Sequence, residues 1–193
     1  VFSHFFHLTS VTLSKSLRDI PADTFLECRA LQSVDLPESL EHIGKAAFRG
    51  CLELFSLKIP PSVKDIGAYA FFGCKSLNSL QLSRNLERLG AGACKWCESL
   101  TSVTLPANMT WVEKEVFYGC SNLTLVYFLG KILFIGYMAF SHCRELPSLG
   151  IPGEKLQIAA CAFFYCEKLK DVVITGSLEG VGDSAFENCH ELE

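Results

Sequence analysis

A cysteine recurs every 23 residues along almost the whole chain, and this period constrains the fold more than any other feature. No insertion interrupts the spacing, and Phe5 takes the cysteine position in a first copy. The series consists of Cys28, Cys51, Cys74, Cys97, Cys120, Cys143, Cys166 and Cys189. A fixed period of roughly 20–50 residues is typical of solenoids, in which each unit packs against its neighbours. We therefore expect a single array over 1–193 of about eight repeats, with copies starting near 5, 28, 51, 74, 97, 120, 143 and 166 and a partial copy from 189.

The first half of each repeat predicts one short β-strand. With the series cysteine counted as position 1, position 4 is leucine in every copy, and positions 7 and 9 are apolar. Alternating apolar residues indicate a strand with one buried face. Proline often follows at position 10, where its missing N–H ends the pairing. These prolines are Pro37, Pro60, Pro106 and Pro152.

The second half of the repeat predicts a turn or a short extended piece. Positions 13 and 16 are mostly apolar, and position 17 is usually glycine, which indicates a backbone requirement at one point of each coil. Most copies close with Ala-Phe at positions 20 and 21, as in Ala47-Phe48. A small residue beside a large one predicts closely spaced units with a column of phenyl rings inside. Departures from the pattern include Cys94 at position 21, Glu113 at 17, Leu129 at 10 and Lys155 at 13.

The unit Cys-x-x-Leu-x-x-Val-x-Leu-Pro-x-Ser-Leu-x-x-Ile-Gly-x-x-Ala-Phe-x-x resembles the BspA-type, or Treponema-type, leucine-rich repeat over essentially all 193 residues. The resemblance implies a right-handed leucine-rich-repeat solenoid whose short parallel sheet lines a concave face. It also implies a protein-binding or adhesion module of a secreted or cell-surface protein that attaches to host, matrix or cell-surface proteins. A fold of this kind does not itself define an activity, because function depends on particular sites.

Catalytic, metal and cofactor chemistry find little support in the residues. Cys94-Lys95-Trp96-Cys97 is formally a C-x-x-C, but Cys97 belongs to the periodic series, so we expect a column of free buried thiols instead of a metal or redox site. Only Cys94 and Cys161 lie outside the column. No hydrolase or phosphate-loop motif occurs, and the five histidines fall at unrelated repeat positions, where we expect solvated surface. We predict no enzyme activity and no cofactor.

Charge and hydropathy limit the possible partners. The net charge of -4 comes without a basic stripe, which argues against nucleic acid, and no apolar run could span a bilayer. The chain begins without Met, and the copy from 189 stops at Glu193, so we expect a fragment of a longer protein. Sequons at Asn108 and Asn122 would accept glycans in a secreted eukaryotic protein. Reduced cysteines favour the alternative of a cytoplasmic interaction scaffold. A further alternative is a targeting module of a larger protein.

The strand pattern predicts where a partner would bind. If positions 7 and 9 point inward, positions 6 and 8 face outward on the concave side. Position 6 is mostly serine, whereas position 8 varies, and we take five of its residues as the candidate protein-binding site: Asp35, Lys58, Gln81, Thr104 and Tyr127. The serines could instead merely keep the ladder soluble. A second patch is possible at position 22, where Phe72, Tyr118 and Phe164 stand, although partial burial would equally explain it.

Overall fold

The computed structural model describes residues 2–193 as a stack of turns in which each copy contributes two short strands. The first strand row lies at repeat positions 6–8 and comprises β1 (Ser10–Thr12), β3 (Ser33–Asp35), β5 (Ser56–Lys58), β7 (Ser79–Gln81), β9 (Ser102–Leu105) and β11 (Leu125–Phe128). The second strand row lies at positions 15–16 and comprises β2 (Asp19–Ile20), β4 (His42–Ile43), β6 (Asp65–Ile66), β8 (Arg88–Leu89), β10 (Trp111–Val112) and β12 (Phe134–Ile135). In the last two copies, β13 (Ser148–Ile158) and β14 (Asp171–Val181) run through both rows.

All strand pairs are parallel, and apart from Leu156↔Leu178 in the last pair they join the same repeat position in successive copies, as in Val11↔Val34 and Ile43↔Ile66. This arrangement confirms the predicted solenoid. It has about seven turns, slightly fewer than the predicted eight repeats, because eight first-row strand segments enclose only seven complete intervals of 23 residues. No helix occurs between Phe2 and Glu193.

The prediction that every strand is short is wrong for the last two copies. β13 and β14 each extend over 11 residues, and Pro152 lies inside β13, opposite Thr175. Pro152 can belong to this strand without an N–H, because its carbonyl accepts a hydrogen bond of 2.7 Å from the backbone N of Ile132 in the preceding turn. A proline at position 10 therefore ends a strand only where the following residues also leave the extended conformation.

The second half of the repeat contains both an extended piece and a chain of tight turns. Backbone hydrogen bonds join position 17 to 20 and position 21 to the next cysteine, for example from Ala47 N to Gly44 O and from Cys51 N to Phe48 O. The third residue of each of these turns has a left-handed φ, such as 51° at Ala46 and 72° at Gly50. Amides of this segment also donate to the next turn, as Phe25 N does to Ala47 O at 2.7 Å. The turns thus form a third hydrogen-bonded row, which the sequence analysis did not predict.

The interior contains the predicted column of phenyl rings. Phe25 stacks on Phe48 with ring centres 5.1 Å apart, and Phe48 stacks on Phe71 at 5.8 Å. The column is interrupted at Cys94, which is completely buried. Val116 replaces the usual alanine at position 20 of the next turn, where its carbonyl accepts a hydrogen bond from Cys94 N. The side chain of Val116 is itself buried.

Glycine at position 17 is explained by a close approach between turns. A Cβ on Gly67 would lie 2.5 Å from the backbone N of Lys45 and 2.7 Å from the carbonyl carbon of Gly44. Equivalent backbone atoms crowd Gly44, Gly90 and Gly136. Because rigid backbone cannot move aside like a side chain, this position holds the successive turns at close spacing.

Candidate functional site

The cysteine column is structural. All ten cysteines are free, and the interior members of the column are completely buried. Each of these thiols donates to the backbone carbonyl at position 21 of the preceding turn, as Cys74 does to Phe48 O at 3.1 Å. Burial raises the pKa of Cys74, Cys97 and Cys120 well above the ordinary thiol value, which disfavours the nucleophilic thiolate. A cysteine here combines a small apolar side chain with a second hydrogen-bond donor for the position-21 carbonyl, as Phe48 O accepts from both Cys51 N and Cys74 Sγ.

The remaining chemistry-bearing residues do not converge. Across residues 2–193, no group of three His, Cys, Asp or Glu side chains has an arrangement that could hold a metal ion. Cys94 is completely buried and Cys161 is half-buried, so neither lies in an open cleft. What the geometry offers is extended surface, and the first strand row provides one stretch of it with outward side chains in successive turns.

We use the term front face for the outward side chains at positions 6 and 8 of the first strand row. Position 7 is buried between them in the interior copies, for example at Val34, Leu57 and Leu80. The five candidate residues Asp35, Lys58, Gln81, Thr104 and Tyr127 are all exposed and form one row across successive strands. The alternation predicted for this strand is therefore present, and it aligns the five side chains on one surface.

The polar half of the front face contains two shallow depressions. Asp35 and Lys58 line one of about 240 Å³, together with Ser33 and Ser56. Their strands, β3 and β5, are neighbours along the chain but belong to separate hydrogen-bonded sheets. No ion pair joins Asp35 to Lys58, although opposite charges at equal positions of adjacent turns pair elsewhere, as Arg88 does with Asp65. Both charges are available to a partner.

The second depression, of about 350 Å³, lies between β7 and β9 and is lined by Gln81, Thr104 and Arg84. The two strands pair only at Ser79↔Ser102 and separate beyond it, which opens the space. The break in pairing could not be predicted from the repeat, because the two copies have nearly the same pattern at positions 6 to 9.

The other half of the front face is apolar. Tyr127 is 54% exposed, Leu125 is exposed at position 6 of the same strand, and Leu129, at position 10 directly after the strand, is 64% exposed. Most other copies carry serine and proline at those two positions. Val173 is also exposed, whereas Gly150, between Tyr127 and Val173, leaves open space because it has no side chain. The front face thus changes from charged and polar to apolar along the solenoid.

The position-22 patch is partly buried and belongs to a cluster of aromatic rings on the turns. Tyr118 lies edge-on to Trp96 and 5.1 Å from His142, measured between ring centres. His142 also stacks on Tyr165 at 5.2 Å and is half-buried, so the prediction of solvated surface is wrong for this histidine. It occupies position 23, where the left-handed turn directs its ring among the neighbouring rings. Burial lowers the pKa of His142, and Arg144 lowers it further.

One aromatic pair, of exposed Trp111 and half-buried Phe134, was not predicted from the sequence. Trp111 and Phe134 face outward from β10 and β12 at position 15, with ring centres 4.9 Å apart. The signal was present in the sequence, since the other copies carry Asp19, His42, Asp65, Arg88, Gln157 and Gly180 at this position. It went unnoticed because no second strand row, and so no second outward face, was predicted.

Known structures of bacterial repeat proteins have the same architecture. A leucine-rich repeat protein from Bacteroides ovatus matches with a TM-score of 0.91 and 31% identity over 100% of this chain and 50% of its own length. The leucine-rich repeat protein of T. pallidum matches with a TM-score of 0.65 and 24% identity over 96% of this chain and 78% of its own length. That of Eubacterium ventriosum matches with a TM-score of 0.64 and 18% identity over 99% of this chain and 73% of its own length. The chain therefore spans half of the Bacteroides protein. No curated protein matches it.

The family comparison agrees with the repeat seen in the residues and in the fold. The model of the BspA type leucine rich repeat region matches in six copies, over residues 1–124 and 87–193. Proteins built from such repeats are generally protein-interaction modules. The part of the chain that the structure describes holds no helix with the length and hydropathy needed to cross a membrane. The chain belongs to the BspA-type leucine-rich repeat family.

Proposed function

We propose that the front face binds a protein, with its apolar half as the main hydrophobic contact and its polar half as the source of ion pairs and hydrogen bonds. The observation that carries this proposal is the exposure of Tyr127 together with Leu125 on β11 and with Leu129 directly after it. Aromatic residues are enriched at protein interfaces, where they bury a large area at a small cost in conformational entropy.

The polar half supplies specificity. Asp35 and Lys58 carry opposite charges in one depression, and Gln81 and Thr104 add side chains that both donate and accept hydrogen bonds in the next. Complementary charges orient a partner and accelerate its association more than they increase affinity. A partner that matches this face would present an apolar patch beside a charged and polar one.

The biological setting that we propose is adhesion by a secreted or surface-exposed protein to host, matrix or cell-surface proteins. It is supported by membership of the BspA-type family. The free thiols favour a different setting, a scaffold in a reducing compartment, because exported proteins commonly oxidise their cysteines. Antibody labelling of intact source cells, with and without permeabilisation, separates the two. Labelling only after permeabilisation would reject the surface role.

The binding experiment is a biolayer interferometry measurement of the chain against immobilised matrix proteins, extended to intact cells by flow cytometry. A variant with Lys58→Ala, Gln81→Ala and Tyr127→Ala should lose at least about tenfold in affinity, since a central aromatic anchor alone contributes roughly 1.4 kcal/mol or more. A matched control changes one Lys, one polar ring and one Tyr away from the front face: Lys114→Ala, His42→Ala and Tyr137→Ala. Equal losses in both variants, or no binding by the unaltered chain to any partner, would reject the proposal.

A further inference from the structure

The second strand row contains an aromatic platform that the front face does not include. Trp111 is 56% exposed, and its ring and that of Phe134 are inclined by 38° with centres 4.9 Å apart. Leu133 is exposed beside them. On one side the same row continues with Arg88, whose Nε and Nη2 donate to the two carboxylate oxygens of Asp65. The apolar surface is therefore small and bounded by polar residues.

A β-bulge builds the opposite wall of this site. The pairing of β13 with β14 shifts register between Gly153 and Leu156, and Lys155 takes a left-handed φ of 56°. Because of this shift, Leu156 fills the core in place of the position-13 residue, while Glu154 and Lys155 are exposed. Bulges redirect side chains and are enriched next to binding sites, and a left-handed non-glycine residue is a source of strain. Here the bulge directs two polar side chains to the edge of the platform.

The resulting depression has a volume of about 270 Å³ and a polar rim. Trp111, Leu133 and Phe134 form one side, while Glu154, Gln157 and Glu179 form the other. This volume has room for a ring-sized group.

The charges on the rim cancel. Lys131 Nζ lies 2.6 Å from Glu154 Oε1, and Lys155 adds a positive charge where Glu179 adds a negative one. Gln157 Nε2 donates to Glu179 Oε2 at 3.3 Å, which leaves the Gln157 amide with a second N–H donor and its oxygen acceptor, and the Glu179 carboxylate with further acceptor capacity. A charged ligand would gain little electrostatic binding energy from these paired charges. An uncharged ligand with several hydroxyl groups would meet amide and carboxylate partners on one side and aromatic rings on the other.

We propose that this depression is a binding site for a neutral saccharide. The C–H face of a pyranose ring packs on the indole of Trp111 and on Phe134, while its hydroxyl groups bond to Gln157, Glu179 and Glu154. Aromatic faces attract the weakly positive C–H edges of a sugar, and planar amides and carboxylates bind paired hydroxyls. The site is separate from the front face, so the chain can hold a saccharide and a protein by different surfaces.

The test uses tryptophan emission, which the composition makes specific, because the chain has only two Trp residues. In a Trp96→Phe background, Trp111 is the sole reporter. The probes are neutral hexasaccharides of glucose, mannose, xylose and N-acetylglucosamine, with an oligogalacturonate as the anionic control. We expect a saturable change in emission with at least one neutral probe and none with the anionic one.

Two variants locate the binding. Phe134→Ala and Gln157→Ala should each weaken it by about tenfold, the effect of losing roughly 1.4 kcal/mol of contact, whereas Lys58→Ala on the front face should not. Gln157 is an exposed surface residue, so its variant remains informative if Phe134→Ala is unstable by circular dichroism. The proposal is overturned if no neutral probe binds at millimolar concentration, if binding survives both variants, or if a protein partner and not a saccharide protects Trp111 from quenching.

Discussion

The rings of Phe140 and Phe163 are parallel, and their centres lie 5.4 Å apart, although 23 residues separate them in the chain. Each phenyl ring therefore packs mainly on its copies in the neighbouring turns. In a solenoid this makes the ring column the interior link between successive units.

Replacing one interior phenyl ring should therefore lower the free energy of unfolding far more than replacing an exposed ring. Phe140→Ala removes a completely buried side chain that also lies edge-on to Phe128, and we expect the free energy of unfolding to fall by about 3–5 kcal/mol. Phe55→Ala is the matched control, because that ring is 60% exposed. Urea titration followed by circular dichroism measures both. A similar loss in the two variants would show that the column does not link the turns.

Replacing a position-17 glycine with a larger residue should destabilise the protein. Gly67→Ala places a methyl group 2.5 Å from the backbone N of Lys45, and we expect a loss of about 1–3 kcal/mol in the free energy of unfolding. Glu113 and Ala159 occupy this position in other turns, so the strain should be finite and not abolish folding.

Gly150→Ala provides the control for this substitution. A Cβ at Gly150 meets nothing within 4 Å, so the thermal midpoint should hardly change. Equal destabilisation by the two substitutions would mean that close approach of the turns is not the reason for glycine at position 17.

The column thiols should react slowly in the folded protein. Cys51, Cys74, Cys97, Cys120 and Cys143 are completely buried, and burial raises their pKa. Half-buried Cys161 and Cys189 should therefore take up iodoacetamide first at pH 8. Peptide mass spectrometry over a time course identifies the order. Early modification of the interior five, at the rate of unfolded protein, would contradict the structural role assigned to the column.

His142 should make stability depend on pH. Burial lowers its pKa in the folded protein from the ordinary value of 6.5, so the unfolded chain binds the proton more readily. Stability should then decline as the pH falls through that ordinary value, and the loss is complete below the folded-state pKa.

His142→Asn tests this sign, because Asn188 already occupies the same left-handed position in the last copy. The difference in thermal midpoint between pH 7.5 and pH 5.5 should shrink in this variant. It should persist in His42→Asn, which changes an exposed histidine. The opposite order would assign the pH response to another group.

Much of the fold followed from the period alone. The register of the cysteines and leucines aligned every copy, and alternation at positions 7 and 9 identified the strand that orients Lys58 and Tyr127 outward. These features repeat, and repetition is what a single sequence shows most clearly.

The features that could not be predicted are local or involve two copies at once. A strand of two residues, such as His42–Ile43, is too short for a periodic signal. Tyr69 and Trp96 have a left-handed φ although their bulky side chains disfavour it, so their residue types do not predict this conformation. The separation of β7 from β9 and the bulge at Lys155 depend on how adjacent turns fit together. The aromatic pair of Trp111 and Phe134 was overlooked because its meaning depends on the unpredicted second strand row.

Site-specific photocrosslinking determines whether a protein partner lies on the front face. A benzoylphenylalanine placed at Gln81, in the middle of the front face, is compared with one at His42 on the second strand row, each irradiated with the partner identified by interferometry. We expect an adduct from the probe at position 81 and none from the probe at position 42. An adduct from position 42 alone, or equal yields from both, would contradict it.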